Sequence, residues 1–260
     1  MSLRRSDAIR GRRPHALRMT MTTAEKTYPL NESQRRAARV VGFLYLLLMV
    51  TGAFAQIYVP GNLPGGSTGS ATVPAADTAR EIVDSARLFR LGAVVDLLTN
   101  AGDAALAAAY YVLLRPVSQG LALLGAFWRL AQVAIIAGYT LTNIVILQLL
   151  SGADEVRALT TDQAVALAWV ATSSHTIGYS LGLVFLGLGS TVFAYLLFRS
   201  RYIPRQLAAF GVFSSLVLTA GSLVTVVFPG ATSVVNPALY VPMFFFEVGT
   251  GLWLLIRGVR

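Results

Sequence analysis

Four charged side chains interrupt stretches of the chain that are otherwise apolar, and their chemistry is the most informative part of the sequence. They are Asp96, Asp103, Arg129 and Glu247. A charge inside a bilayer core costs about 2.5–3.5 kcal/mol on insertion scales, so such residues are usually paired and face a protein interior. One guanidinium between two carboxylates leaves either a net negative charge or one protonated acid. This combination fits a proton-linked or cation-binding site, and it also fits ionic contacts that only fix helix packing.

The spacing of these residues predicts that three of them meet. Asp103, Arg129 and Glu247 each lie ten to twelve residues from the same predicted membrane boundary. At about 1.5 Å per residue, all three are expected near the middle of the membrane. We therefore predict a buried polar cluster, with two amides supplying hydrogen bonds to an arginine between two acids. Its members are Asp103, Arg129, Glu247, Asn100 and Gln132.

A second polar site is predicted nearer the outer face. Asp96, Asn100 and Asp103 are spaced at i, i+4 and i+7, so they form one stripe on a helix. Either Arg90 or His175 is the expected partner of Asp96. A histidine at this depth fits an interfacial polar residue, a pH sensor or a residue of an intramembrane hydrolase.

No motif in the chain names a reaction. The chain has no cysteine and only two histidines, which excludes thiolate chemistry and argues against a metal site. The HExxH and glycine-rich phosphate-loop patterns are absent from the sequence. The letters GxSxG occur at 65–69 and 178–182, but neither match follows a predicted strand, which this nucleophile motif requires. We therefore predict no catalytic residue, no metal site and no cofactor.

The elements that must position these residues are long and apolar. Of the 260 residues, 55% are apolar and 13% are charged, with a mean hydropathy of +0.63. An ordinary soluble domain has about 25% charged residues, and disorder requires low hydrophobicity. The composition therefore predicts an all-α, polytopic membrane protein. Its apolar runs predict six spans, over about 38–59, 91–114, 120–150, 176–198, 207–228 and 238–256.

The polar segments between the spans predict the topology. Residues 1–37 form a basic tail that we expect to be disordered, and residues 75–89 and 163–174 are predicted to be amphipathic helices at the outer surface. Nine arginines flank the spans on one side and four on the other. The positive-inside rule then places both termini in the cytoplasm. The expected partner of the basic tail is anionic lipid and not nucleic acid.

Small and aromatic residues add two expectations. Gly178 and Gly182 have the GxxxG spacing, which permits either tight packing within the chain or a homo-oligomer face. Tyr45, Tyr110 and several other tyrosines and tryptophans fall near the predicted boundaries, which is typical of an aromatic belt.

Several segments of the chain resemble a bacterial membrane family. They are FRLGAVVDLL (89–98), Asp103 with YVLLRPV (111–117), AFWRLAQ (126–132), YIPRQLAAFG (202–211) and EVGTGLWLLIRGVR (247–260). Together they resemble the family of the domain of unknown function 4386, over about residues 35–260. The resemblance implies a multi-span inner-membrane protein. It implies no activity, and no catalytic residue is inherited from it.

Three functions are compatible with these patterns. The leading hypothesis is a small-solute, ion or proton-linked transport or binding protein built around Asp103, Arg129 and Glu247. The second is a non-catalytic structural or envelope component, whose buried charges only fix helix packing. The third is an intramembrane lipid-modifying enzyme with Asp96 and His175 near the outer leaflet.

Overall fold

The chain folds into six helices. The computed structural model describes residues 31–59, 83–150, 159–228 and 232–259, and at 161, 162, 169, 172–176 and 232–238 it describes the main chain only. The helices are α1 Glu32–Ala53, α2 Ala86–Leu114, α3 Gln119–Leu150, α4 Thr161–Ser200, α5 Arg205–Val227 and α6 Thr232–Ile256. Helix α1 continues as a π-helical segment, Phe54–Tyr58. No strand occurs in the described ranges, so the predicted all-α class is confirmed.

Each helix contains a segment that is long and apolar enough to cross a membrane. The segments are Glu32–Tyr58, Ala86–Leu114, Gln119–Leu150, Ile177–Ser200, Arg205–Val227 and Leu239–Ile256. Large apolar side chains are exposed along them, including Val50, Phe127 and Phe245. An exposed apolar surface on this scale is stable in lipid and not in water. The predicted bundle of six membrane-spanning helices is confirmed.

Helix α1 begins earlier than the sequence predicted. The Asn31 side chain accepts a hydrogen bond from the main-chain N–H of Gln34 at 3.0 Å, and the Gln34 side chain accepts one from the N–H of Asn31 at 2.8 Å. This reciprocal capping box satisfies two main-chain donors at the helix start. Residues 32–37, which were expected to belong to the disordered tail, are therefore helical. Residues 1–30 lie outside the described ranges.

The interfacial helix predicted over 163–174 is not a separate element. Helix α4 starts after a capping box between Thr160 and Gln163 and runs without a break through Ser200. The polar stretch before Ile177 does not end the helix, because no glycine or proline stands in it. The other predicted amphipathic helix, 75–89, lies mostly outside the described ranges, and its last residues belong to α2.

The six helices form a closed ring. Each packs against its neighbours in sequence, and α6 packs back against α1. The closure depends on Gly42, because a Cβ added there would lie 2.7 Å from the main-chain N of Leu255 and 2.8 Å from the main-chain O of Gly251. Glycine at 42 therefore lets the two main chains meet, as small residues do between membrane helices.

The GxxxG pair packs inside the chain. A Cβ added at Gly178 would lie 3.3 Å from Cβ of Tyr139, and one added at Gly182 would lie 2.8 Å from Cγ1 of Ile136. Both glycines therefore face α3. A homo-oligomer face on this part of α4 stays a prediction.

Two apolar cores lie at opposite ends of the ring and show that consecutive helices are antiparallel. One joins the starts of α1, α3 and α5 to the ends of α2, α4 and α6. The other joins the ends of α1 and α3 to the starts of α2 and α4. We call the first end the basic end because of the exposed arginines around it. They are Arg35, Arg36, Arg39, Arg115, Arg199, Arg201, Arg205 and Arg257.

Candidate functional site

The interior of the ring contains an ion pair between α2 and α3. Nη2 of Arg129 donates to Oδ1 of Asp103, and Nε2 of Gln132 donates to Oδ2 of Asp103 at 3.1 Å. Arg129 is 3% exposed and Gln132 is 1% exposed, so these contacts are withdrawn from both lipid and water. We call Asp103, Arg129, Gln132 and Glu247 the central cluster. Three of these four residues make direct contacts.

Helix periodicity and one glycine position Arg129. Arg129 and Gln132 are three residues apart on α3 and so share a helix face. Gly189 of α4 lies against the stem of the arginine, because a Cβ added there would be 2.9 Å from Cγ of Arg129 and 3.0 Å from the main-chain O of Gly125. The missing side chain at 189 therefore provides the space through which Arg129 extends.

Two polar atoms of the central cluster have no hydrogen-bond partner among the described residues. They are Nη1 of Arg129 and Oε1 of Gln132. Most buried polar groups in proteins have a partner, so an unfilled donor and an unfilled acceptor in one cluster require an explanation. Nη1 carries part of the guanidinium charge and can bind an anionic or neutral acceptor. The cluster therefore keeps capacity for one more polar group.

Glu247 of α6 faces the ion pair without joining it. Its carboxyl is within electrostatic range of Arg129 and Asp103, yet the described residues contain no Arg129–Glu247 ion pair within 4.0 Å. Tyr45 of α1 and Tyr179 of α4 also interact electrostatically with Glu247, which places its carboxyl toward the ring interior. Of the two ion pairs predicted for Arg129, the one with Asp103 is therefore present, and the one with Glu247 is not among the described contacts.

Asn100 does not bind the central cluster as predicted. Its Nδ2 donates to the main-chain O of Asp96, one helical turn earlier, at 3.0 Å. The short amide side chain reaches a carbonyl of its own helix, so this hydrogen bond stays within α2.

Asp96 belongs to a second cluster, farther from the basic end. Nε2 of Gln56 donates to Oδ1 of Asp96 at 2.9 Å, and Oγ1 of Thr140 donates to Oδ2. Asp96 is 7% exposed, and it has no cationic partner in the described part of the chain. We call Asp96, Gln56 and Thr140 the distal cluster. It joins α1, α2 and α3.

Neither predicted partner of Asp96 is observed in contact with it. Arg90 is exposed on the surface of α2. His175 lies in α4 by its main chain, but its side chain is outside the described residues, so a pairing of Asp96 with His175 stays a prediction. The sequence did not predict the two observed donors, Gln56 and Thr140.

Gln56 lies in the π-helical segment at the end of α1 and was not predicted from the sequence. In Phe54–Tyr58 the main-chain bonds span five residues, as in the bond from the N–H of Val59 to the O of Phe54. Eighteen residues separate Gln56 from the buried Ala38, which is about five α-helical turns, so the helical period already places Gln56 on the interior face of α1. The available signal was a single glutamine within an apolar run, which commonly marks an interior position.

Tyr45 and Tyr110 line the interior and are not part of an aromatic belt. They are 5% and 1% exposed, and their rings meet edge-on with centroids 5.7 Å apart. Tyr110 also stacks on Phe193 of α4, with centroids 4.6 Å apart. Position along a helix does not distinguish a side that faces lipid from one that faces the ring, so the prediction was wrong for these two residues.

One protein family matches residues 40–258, and it is described as a domain of unknown function (DUF4386). The chain belongs to the DUF4386 family. The match confirms the resemblance seen in the sequence and covers both polar clusters, from Gln56 to Glu247. No curated protein and no solved structure matches the chain. With its six apolar helices, this DUF4386 protein is a transmembrane protein whose family carries no established function.

Proposed function

We propose that this DUF4386 protein is a proton-linked transport or binding protein for a small polar solute, and that the central cluster is its coupling site. One observation carries the proposal. Arg129 is buried and paired with Asp103, yet its Nη1 has no partner in the described residues while Glu247 stands within electrostatic range. A guanidinium with one bound carboxylate and a second one nearby can change partners.

Protonation of Glu247 would control this change. When Glu247 is neutral, Asp103 alone balances the charge of Arg129, as in the described arrangement. When Glu247 loses its proton, the interior gains a negative charge. Attraction across a medium of low dielectric constant then draws the carboxylate toward Nη1 of Arg129. Because Glu247 belongs to α6, the new contact moves α6 toward α3.

Helix α6 is suited to such a movement. Pro242 lacks an N–H, so α6 has one main-chain hydrogen bond fewer in the turn before Glu247. Gly249 and Gly251 follow Glu247 and weaken the helix further. These three residues allow local bending on both sides of the carboxyl.

The unfilled atoms of the central cluster indicate what kind of solute would bind. Nη1 of Arg129 requires an acceptor, and Oε1 of Gln132 requires a donor. A small molecule that carries both an acceptor and an N–H or O–H satisfies them. Because Asp103 already balances Arg129, binding does not require a strongly charged solute.

We further propose that the basic end faces the cytoplasm of a bacterial inner membrane, with both termini on that side. Eight exposed arginines lie at this end, and Glu32 is the acid described there. This excess of positive charge supports the orientation through the positive-inside rule. The chain has no cysteine, so single cysteines at Gln119 and Asp84 can report the two ends. A membrane-impermeant maleimide added to intact cells should label the second site and not the first.

Solute-driven currents test the proposed transport. Purified protein in liposomes is adsorbed to a solid-supported electrode and exposed to amino acids, sugars, organic acids or quaternary ammonium ions under an inward proton gradient. At least one class should give a current that is lost in Glu247→Gln. Gly138→Ala is the matched control, because a Cβ at Gly138 would meet nothing within 4 Å. Equal currents in wild type and Glu247→Gln, or none with any class, would contradict the proposal.

A purely structural role is the second candidate. It is favoured by one observation: both oxygens of Asp103 have donors, so the contacts tie α2 to α3. A structural contact alone gives no reason for a buried donor without a partner at Arg129. An intramembrane enzyme built on Asp96 and His175 has no support from the described contacts.

A further inference from the structure

The distal cluster contains a buried carboxyl that the proposed coupling does not use. The two donors to Asp96 are the neutral amide of Gln56 and the neutral hydroxyl of Thr140. In the described residues no lysine or arginine pairs with it, and Arg129 is bound to Asp103, about two turns along α2. A buried carboxylate without a counter-ion is so costly that such a group usually becomes neutral.

The hydroxyl of Thr140 has one proton and two acceptors within reach. It contacts Oδ2 of Asp96, and it lies 2.9 Å from the main-chain O of Ile136. If Asp96 is ionised, the hydroxyl can serve only one of these acceptors at a time. If Oδ2 carries a proton, Asp96 donates to Oγ1 of Thr140, and Thr140 donates to Ile136.

The amide of Gln56 completes this pattern. Its Nε2 donates to Oδ1 of Asp96, which is the carbonyl oxygen when Oδ2 is protonated. The proton and both oxygens of the carboxylic acid then have partners, and so does the hydroxyl of Thr140. The ionised form lacks both a counter-ion and a sufficient number of donors, since a carboxylate can accept about four hydrogen bonds.

We infer that Asp96, Gln56 and Thr140 form a second proton-binding site, in which Asp96 holds a proton as a neutral carboxylic acid. The ligand of this site is the proton itself. The site differs from the central cluster, where Asp103 is paired with the guanidinium of Arg129. The inference depends only on the distal contacts, so it does not require the solute transport proposed above.

The titratable groups around Asp96 supply no positive charge in the described part of the chain. Tyr139 of α3 and Tyr179 of α4 are within electrostatic range of its carboxyl, and Asp103 follows on α2. Phenols are neutral at ordinary pH. Helix α1 and its π-helical segment contribute Gln56. His175 is the group whose side chain is outside the described residues, and a His175→Gln variant controls for it.

Infrared spectroscopy of the protein in lipid vesicles tests the inference directly. A protonated carboxyl absorbs through its C=O stretch, apart from the bands of an ionised carboxylate. Aspartate labelled with carbon-13 in its side-chain carboxyl shifts only aspartate bands, so the wild-type chain can be used without substitution. At neutral pH we expect one aspartic C=O band in wild type and His175→Gln, and its complete loss in Asp96→Asn.

The Thr140→Val variant sharpens the assignment. It should keep the band at a higher frequency, because the acid loses its hydrogen-bond acceptor. The absence of an aspartic C=O band in wild type would overturn the inference, as would a band that persists in Asp96→Asn. Conversion of the band to a carboxylate on addition of sodium chloride would also overturn it, because the site would then bind a cation. A failure of the solute currents would leave these outcomes unaffected.

Discussion

The central and distal clusters each bury an aspartate on one face of α2, but they stabilise it in different ways. Asp103 is bound by a charged guanidinium and an amide, whereas Asp96 is bound by an amide and a hydroxyl. The central cluster leaves Nη1 of Arg129 without a partner among the described residues, whereas both carboxyl oxygens of Asp96 have donors. Both aspartates face the ring interior, so unfilled hydrogen-bonding capacity distinguishes the cluster that can rearrange.

The largest effect is expected from breaking the central ion pair. Arg129→Met leaves Asp103 buried without a counter-ion, which typically costs about 3–5 kcal/mol. The free energy of unfolding, measured in mixed micelles with increasing dodecyl sulfate, should fall by that amount. The double variant Asp103→Asn with Arg129→Met should recover part of the loss, because it removes the isolated charge. Equal stability of wild type and Arg129→Met would show that the pair does not hold α2 to α3.

A matched pair of asparagine substitutions compares the two aspartates directly. Asp103→Asn leaves Arg129 as an unpaired buried charge and should cost about 3 kcal/mol or more. Asp96→Asn should cost less than about 1 kcal/mol, because its amide donates to Thr140 and accepts from Gln56 much as a protonated acid does. The same unfolding assay measures both. If the two losses are equal, the distinction between the clusters is wrong.

Filling the space that Gly189 leaves for Arg129 should have a smaller effect on stability. A methyl group there would meet Cγ of Arg129 and the main-chain O of Gly125, and overpacking of this kind costs about 1–3 kcal/mol. Gly189→Ala should therefore destabilise the protein, while Gly138→Ala on α3 should leave its stability within about 0.5 kcal/mol. A neutral Gly189→Ala would mean that the arginine stem can shift without losing Asp103.

The smallest change in stability is expected at Glu247. Because Glu247 makes no ion pair in the described arrangement, Glu247→Gln should change the free energy of unfolding by less than about 1 kcal/mol. Its effect should appear instead in the solute-driven current. A loss as large as that of Arg129→Met would indicate that Glu247 is a structural partner of the arginine.

The sequence predicted the features that depend on length and helical period. The six spans follow from apolar runs, and the contact of Asp103 with Arg129 and Gln132 follows from equal depth on adjacent helices. The distal contacts were not predicted, because a glutamine and a threonine within apolar runs are weaker signals of an interior position than a charged side chain is. The gap at Glu247 was also missed. Depth alone places α6 level with the pair, but the order of helices around the ring sets the distance between them.

The change of partner by Arg129 is the central claim, and a distance between α3 and α6 tests it most directly. Spin labels on cysteines at Gln119 and Ile256 report this distance at the basic end, since both positions are exposed and the chain has no cysteine of its own. Measured by double electron–electron resonance in lipid, the distance should shorten by about 1–2 Å, as in other interface helix shifts, when rising pH removes the proton of Glu247. It should stay constant in Glu247→Gln. The claim would be contradicted if the distance in wild type did not change with pH, or if it changed equally in Glu247→Gln.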